Sequence, residues 1–430
     1  MLNSKCYQGC IETWNSSMSN LKQTNLVRPF AALRPLPDLA SEVVAPPYDV
    51  VTTAEAIALA KNKPWSFLHI SKPEIDLPIG VDVYSDAVYE KGRENFNQMI
   101  EDGILKRDEN NYYYIYRLKM ADHVQTGIVG AGSIAAYEAN RIRRHELTRP
   151  DKEIDRVRQI DATNAQTGPV FTIHKFNQLL DAVIKRNVAY VADYHVISED
   201  QVEHTLWVVT DLTDIKQITE GFDSLGVLYI ADGHHRSAAA SRVFSDRSKS
   251  GDNPNDSFLL VSFPETEVKV FEYNRLIKDL CGLSEKEFLN KVQENFDLVK
   301  ESEPTKPSVR NSFSMYLSGF WYSLLPKIPV SHDLPPLDRL DISILTKSIL
   351  EPILEIGDPR IDPRIDFVGG IRGLIELENR VDTGDWSVAF ALYPTSVQDL
   401  ISVADAEEVM PPKSTWFEPK LADGMVSLII

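Results

Sequence analysis

Apolar positions recur at two different periods along this 430-residue chain, and the switching between them lays out the elements. Over residues 84–103, Tyr84, Val88, Phe96, Met99 and Ile100 return every three to four positions, which predicts an amphipathic helix. Residues 111–120 alternate with a period of two, and 126–134 read as their hairpin partner across Ala121-Asp122-His123. Short apolar runs at 170–174, 206–210, 227–230 and 258–263 predict further strands. A second hairpin is predicted over 314–324, turning at Ser318-Gly319, followed by a helix over 341–354, a strand over 387–393 and a helix over 396–404. Thr52 or Thr53 is placed to cap the helix that follows it, and Pro150 suits a first helical turn. Strands and helices interleave throughout, so the fold class is α/β with mixed α+β sheets. The polar, proline-bearing stretch 300–312 is the best domain boundary. This gives a leader over 1–25, a core over 26–300 and a C-terminal α/β domain over 301–430.

Composition narrows the class of partner. Lys and Arg number 45 against 63 Asp and Glu, a net charge of −18. Duplex binding relies on cations against phosphates, so no nucleic-acid partner is expected; the balance favours a soluble protein acting on small molecules. Three cysteines (Cys6, Cys10 and Cys281) are too few and too scattered for a disulfide framework or zinc module. No apolar run reaches the roughly 18 residues of a membrane span, and residues 1–25 lack an apolar signal core. A flexible leader, with Met18 as an alternative start, and a cytoplasmic location are expected.

The densest chemistry is Asp232-Gly233-His234-His235-Arg236, between the apolar run 227–230 and the small-residue stretch Ser237-Ala238-Ala239-Ala240. That order reads as strand, glycine turn and helix N-terminus, where backbone N–H groups and a partial positive charge receive an anion, above all a phosphate. Gly233 permits close backbone approach, and Arg236 matches phosphate oxygens geometrically. Asp232 can hold a divalent metal or orient a histidine. A structural histidine pair is the plain alternative; zinc is disfavoured because no cysteine or spaced histidine lies near.

Residues 141–156 carry four carboxylates and six cations. Such a run is most often a solvated face; its sharper reading gives His145 and Glu146 acid–base work and Arg149, Lys152 or Arg156 an anion. Phe367-Val368-Gly369-Gly370-Ile371-Arg372-Gly373 repeats the strand–glycine–helix theme, either as a second anion site or as a tight connection. The segment 410–420 stiffens Lys413, Ser414, Thr415, Trp416 and Phe417 between prolines. It reads as a braced loop packed on its own domain, or as a site wall offering Lys413 to a substrate. Val44-Ala45-Pro46-Pro47-Tyr48-Asp49 has the same rigidity. Neither a phosphate loop of the Gly-x-x-x-x-Gly-Lys-Ser/Thr type nor a Gly-x-Gly-x-x-Gly turn occurs in the sequence.

Seven ordered motifs (RPFAALRP, VAPPYDVV, RRHELTRPDKEIDR, TGPVF, YIADGHHR, DFVGGIRGL and PPKSTWFEPK) resemble the domain-of-unknown-function family 1015 of bacteria and archaea, from about Val27 to the C-terminus. More distantly, a His-Glu element followed by Asp-Gly-His-His-Arg is similar to the free serine kinases of the ParB/sulfiredoxin-like superfamily. That resemblance implies a ParB-like phosphate-binding core with large insertions. It also implies a phosphotransferase moving a phosphoryl group between O-phosphoserine or serine and ADP or ATP, with Mg²⁺. It implies catalytic duties for Glu146, His145, Asp232 and His234, with Asp232 also the metal ligand. Phosphate or nucleotide contacts fall to Gly233, His235, Arg236 and Ser237, with Arg149, Lys152 and Lys413 added from the residue reading. The alternatives are a phosphoserine phosphatase and a nucleotide-switched binding module.

Overall fold

The structure, a computed structural model, describes residues 25–252 and 255–430. The expected leader, with Cys6, Cys10 and Met18, lies outside the described residues apart from Asn25. The fold is mixed α/β, as the interleaved periods predict, and it divides into two compact units. Of the described residues, 25–144, 148–252, 255–268 and 419–430 form the first; 145–147 and 269–418 form the second.

The first unit is built on a nine-stranded mixed sheet. Its path runs Ile142–Arg143, Leu228–Asp232, Val170–His174, Ser257–Pro264, His123–Ser133, Tyr113–Met120, Glu203–Val209 and Tyr194–Ile197, with Val27–Arg28 added beside His123–Ser133. The hairpin is tighter than the sequence suggests: Met120 pairs directly with His123, leaving a two-residue turn with Ala121 at φ 51°. One apolar cluster joins Tyr113, Ile128, Val170, Ile230 and Leu260 of the strands to Leu180, Phe222 and Ala239 of the helices. A second gathers Val43, Phe67, Phe96 and Met99. The helix Asp86–Glu101 buries Val88, Phe96 and Met99 on one face, which is why its period was visible; Tyr84 precedes it and is exposed. A Thr52 capping box with Glu55 starts Thr53–Ala60.

The second unit holds a six-stranded, wholly antiparallel sheet: Phe296–Lys300, Phe320–Pro326, Phe313–Leu317, Val388–Leu392, Tyr273–Ile277, Ile365–Gly369. Ser318 and Gly319 turn its hairpin at φ 49° and 82°. One correction applies here. The helix expected over 341–354 stops being α-helical at Leu345 and continues as a π-turn over Thr346–Leu350. Pro352 has no N–H to donate, and Glu351 N–H reaches back to Thr346 O at 3.0 Å. The second unit begins at Lys269, and its strand Tyr273–Ile277 pairs with Ile365–Gly369 and Val388–Leu392. The last twelve residues return to the first unit, where Leu428–Ile429 pairs with Ala165–Gln166.

Candidate functional site

The strand Leu228–Asp232 pairs antiparallel with Val170–His174, and the register slips between Ile230 and Asp232. A bulge of this kind re-aims the residue at the strand's end, here Asp232. Gly233 then takes φ 95° and ψ 26°, a left-handed conformation that side chains resist. A Cβ at this position would lie 3.2 Å from Val170 Cα. The helix His234–Lys249 begins at once, with no side-chain cap on its N-terminus among the described residues. The strand–turn–helix read from the sequence is therefore present, with the positive end of the helix dipole at the turn.

Around this turn the first unit assembles a charged cluster. Lys420 Nζ lies 3.1 Å from Asp232 Oδ2. The Arg236 guanidinium lies 3.7 Å from Asp232 Oδ1 and 3.6 Å from Asp49 Oδ2, and donates from Nη1 to the Pro169 carbonyl. Burial alone would raise the Asp232 carboxyl, but Lys420, Arg236 and His234 outweigh it and hold it well below the usual carboxylate range. Burial likewise works against the Arg236 charge, and Asp49, Asp232 and Tyr48 more than restore it. Both carboxylate distances for Arg236 exceed a hydrogen bond, so these carboxylates balance its charge without fixing its donors. His235 Nε2 accepts the Arg149 backbone N–H at 3.0 Å, which puts the proton of the neutral ring on Nδ1. His234 is buried.

The remaining expected residues are placed as follows. Ser237 is fully buried and its Oγ donates to the His234 carbonyl at 3.0 Å, so its hydroxyl is spent inside the helix rather than offered to an anion. The exposed Arg149 side chain pairs with Asp151 at 3.0 Å, and Lys152 Nζ donates to Tyr84 Oη at 2.8 Å. Arg156 is held deeper, on Asp155 at 2.7 Å and over the Tyr48 ring at 3.7 Å. His145 and Glu146 group with the second unit, where the His145 carbonyl accepts the Met410 N–H at 2.8 Å. Asp232 was expected as a metal ligand; flanked by the charges of Lys420 and Arg236, it does not fit a resident divalent ion. Among the described residues no cluster of three or more His, Cys, Asp or Glu is placed to hold a metal.

In the second unit, Lys413 is exposed at φ 55° in a loop whose carbonyls at Pro412 and Lys413 accept from the buried Arg275 at 3.3 and 2.9 Å. Trp416 meets the Tyr273 ring edge-on at 5.0 Å, and Trp416–Glu418 pairs with Lys269–Phe271. This is the braced-loop reading of the segment. The glycines at 369 and 370 serve close packing: a Cβ on Gly369 would sit 2.8 Å from the Trp416 ring, and one on Gly370 2.5 Å from a Glu272 carboxylate oxygen. A carboxylate so close makes that turn a tight connection, not an anion site.

Sequence reasoning missed Lys420 and Asp423 altogether, and left Asp49 in a site wall without a charge to balance. The signal was there: Lys420 and Asp423 interrupt the apolar stretch Leu421-Ala422 and Met425-Val426, and charges in buried segments need partners.

A family model described as "Protein of unknown function (DUF1015)" matches residues 27–343. No curated protein matches the sequence. Similar solved structures include a free serine kinase in complex with AMP, at 11% identity and a TM-score of 0.33, covering 68% of this chain and 86% of that one. SbnI with a C-terminal truncation, from Staphylococcus aureus, is 10% identical at a TM-score of 0.37, covering 69% and 85%. A conserved hypothetical protein from Pyrococcus furiosus is 11% identical at 0.33, covering 71% and 94%. Among the described residues no helix is long and apolar enough to cross a membrane.

Proposed function

The chain belongs to the DUF1015 family, and we propose that within it this protein is a nucleotide-dependent phosphotransferase that moves a phosphoryl group between O-phosphoserine or serine and ADP or ATP. The observation that carries the reading is Arg236: a half-buried guanidinium in the first turn of a helix, its charge balanced by carboxylates 3.6 and 3.7 Å away. An incoming phosphate oxygen can take its donors without first breaking a tight salt bridge. The backbone at Gly233 and the helix dipole add to the same positive spot. Phosphoryl transfer asks little more of a protein than alignment and neutralisation of charge. Lys420 and Arg236 keep Asp232 ionised across neutral pH.

Mg²⁺ enters this scheme with the nucleotide, as part of the substrate. The serine hydroxyl needs a carboxylate to take or return its proton, and Glu146, after His145, is the candidate on the sequence resemblance. Glu146→Gln should lower kcat more than nucleotide affinity if it has that role; a loss of affinity alone reassigns it.

The test is an assay of purified protein with O-phosphoserine, with and without ADP. ATP formation that depends on ADP is the expected result. Phosphate release indifferent to ADP supports the phosphatase reading instead. Failure to bind ADP, phosphate or sulfate at all removes the proposal.

A further inference from the structure

Beside Arg236 lies a small cavity of about 30 Å³, lined among others by Tyr48, Ser71, Arg156, Gly168, Arg236 and Asp423. These residues come from five separate stretches of the first unit. Asp423 is 1% exposed and Ser71 5%. Asp423 Oδ1 and Ser71 Oγ are both buried with no hydrogen-bond partner among the described residues. Buried polar atoms of this kind are destabilising unless something satisfies them. The cavity volume exceeds the roughly 10–15 Å³ that one water needs, and the lining is polar. A Cβ on Gly168 would lie 3.1 Å from Asp423 Oδ1 and 3.5 Å from Arg236 Cδ, so the glycine keeps this space open between the two side chains.

We propose that this cavity is a built hydration site whose ordered water links Asp423 Oδ1 and Ser71 Oγ to the guanidinium groups, making Asp423 a positioning residue for Arg236. The positioning role rests on the reading of Arg236 as the anion-binding residue; the hydration site does not. Water is the ligand the chemistry selects. With Arg156 and Arg236 lining it a metal ion is repelled, and with Asp423, Asp49 and Asp155 close by a second anion gains nothing. The groups that bear on Asp423 are Tyr48 and Asp49 of one loop, Tyr116 of the sheet, Arg156 of one helix and Arg236 of another. Burial pushes the Asp423 carboxyl up to about 7, against the pull of Arg236. Near neutrality it therefore passes between a neutral acid that donates to the water and a carboxylate that attracts Arg236 away from the turn.

Two measurements decide this. The first is a high-resolution crystal structure of the full chain, which should show water within hydrogen-bond reach of Asp423 Oδ1 and Ser71 Oγ. A dry cavity, or one closed by side chains, overturns the hydration site whatever the turn binds. The second uses sulfate, which does not titrate in this range, as the probe of the turn. Wild-type affinity should fall between about pH 6 and about pH 8.5 by at least about threefold more than that of Asp423→Asn. Histidines near the turn titrate in both proteins and cancel in the comparison. Equal pH profiles overturn the positioning role. If the wild type shows no sulfate binding, the reading of Arg236 fails and takes the positioning role with it, while the density still decides the hydration site.

Discussion

At the scale of single residues, the turn stands on the geometry of Arg236 and Gly233. Arg236→Lys keeps the charge beside Asp49 and Asp232 but loses the planar fork. It should reduce phosphate or ADP affinity by about tenfold or more while the melting temperature stays near wild type; calorimetric titration and thermal unfolding read the two effects separately. Gly233→Ala forces a side chain into a left-handed conformation beside Val170, and should cost about 1–2 kcal/mol in urea unfolding. A third prediction concerns acid. His174 is buried, its Nδ1 2.9 Å from Ser262 Oγ, and burial pushes its imidazole down to about 3. The unfolded chain therefore takes up a proton that the native state refuses. The stability tied to a neutral His174 is whole above about pH 6.5 and is lost progressively down to about pH 3. His174→Gln should narrow the drop in melting temperature between about pH 7 and about pH 4.5; an unchanged drop would show that His174 is not the group that titrates. The charged pentapeptide was legible because its chemistry is local in sequence. Asp423 and Lys420 were not, because their partners lie far away along the chain, Lys420 from Asp232 by 188 positions.

At the scale of elements, legibility followed periodicity. The helix Asp86–Glu101 and the two hairpins carry one apolar face each, and their patterns could be read directly. The π-turn at Thr346–Leu350 could not, since its apolar spacing through Ile349 and Leu350 continues that of the α-helix before it. Only Pro352 distinguishes it, by withholding a donor. The two strand–glycine–helix units looked alike in sequence and differ in what lies against the glycine. At Gly233 it is backbone and Arg236, and at Gly369 it is the Trp416 indole. Gly369→Ala should then act as overpacking, destabilising the second unit by about 1–3 kcal/mol with anion affinity at the turn unchanged. Unfolding followed by tryptophan fluorescence, together with a sulfate titration, checks both halves. A loss of anion affinity in that variant would give the Phe367–Gly373 segment a part that the contacts of its glycines do not suggest.

At the scale of the whole molecule, composition spoke to partners and not to architecture. A charge of −18 predicts that duplex DNA is not bound at micromolar protein even in low salt, which a gel-shift titration checks. What composition could not reveal is that the first unit is closed by the chain's last twelve residues. Leu421, Ala422, Met425, Val426 and Leu428 are all buried there. At about 1.5–3 kcal/mol for a fully buried large aliphatic side chain, their loss would rival the about 5–15 kcal/mol that holds a typical domain together. A chain ending at Glu418 should therefore fail to fold its first unit, seen as rapid proteolysis of residues 26–268; a protease-resistant first unit would show the tail to be dispensable. The same closure sets a clock on biosynthesis. The turn leaves the ribosome long before Lys420 and Asp423 are made, and at about 5–20 residues per second the delay is on the order of ten to forty seconds. Throughout that interval Asp232 lacks its lysine, so in a nascent or prematurely terminated chain the charge around the turn is unbalanced.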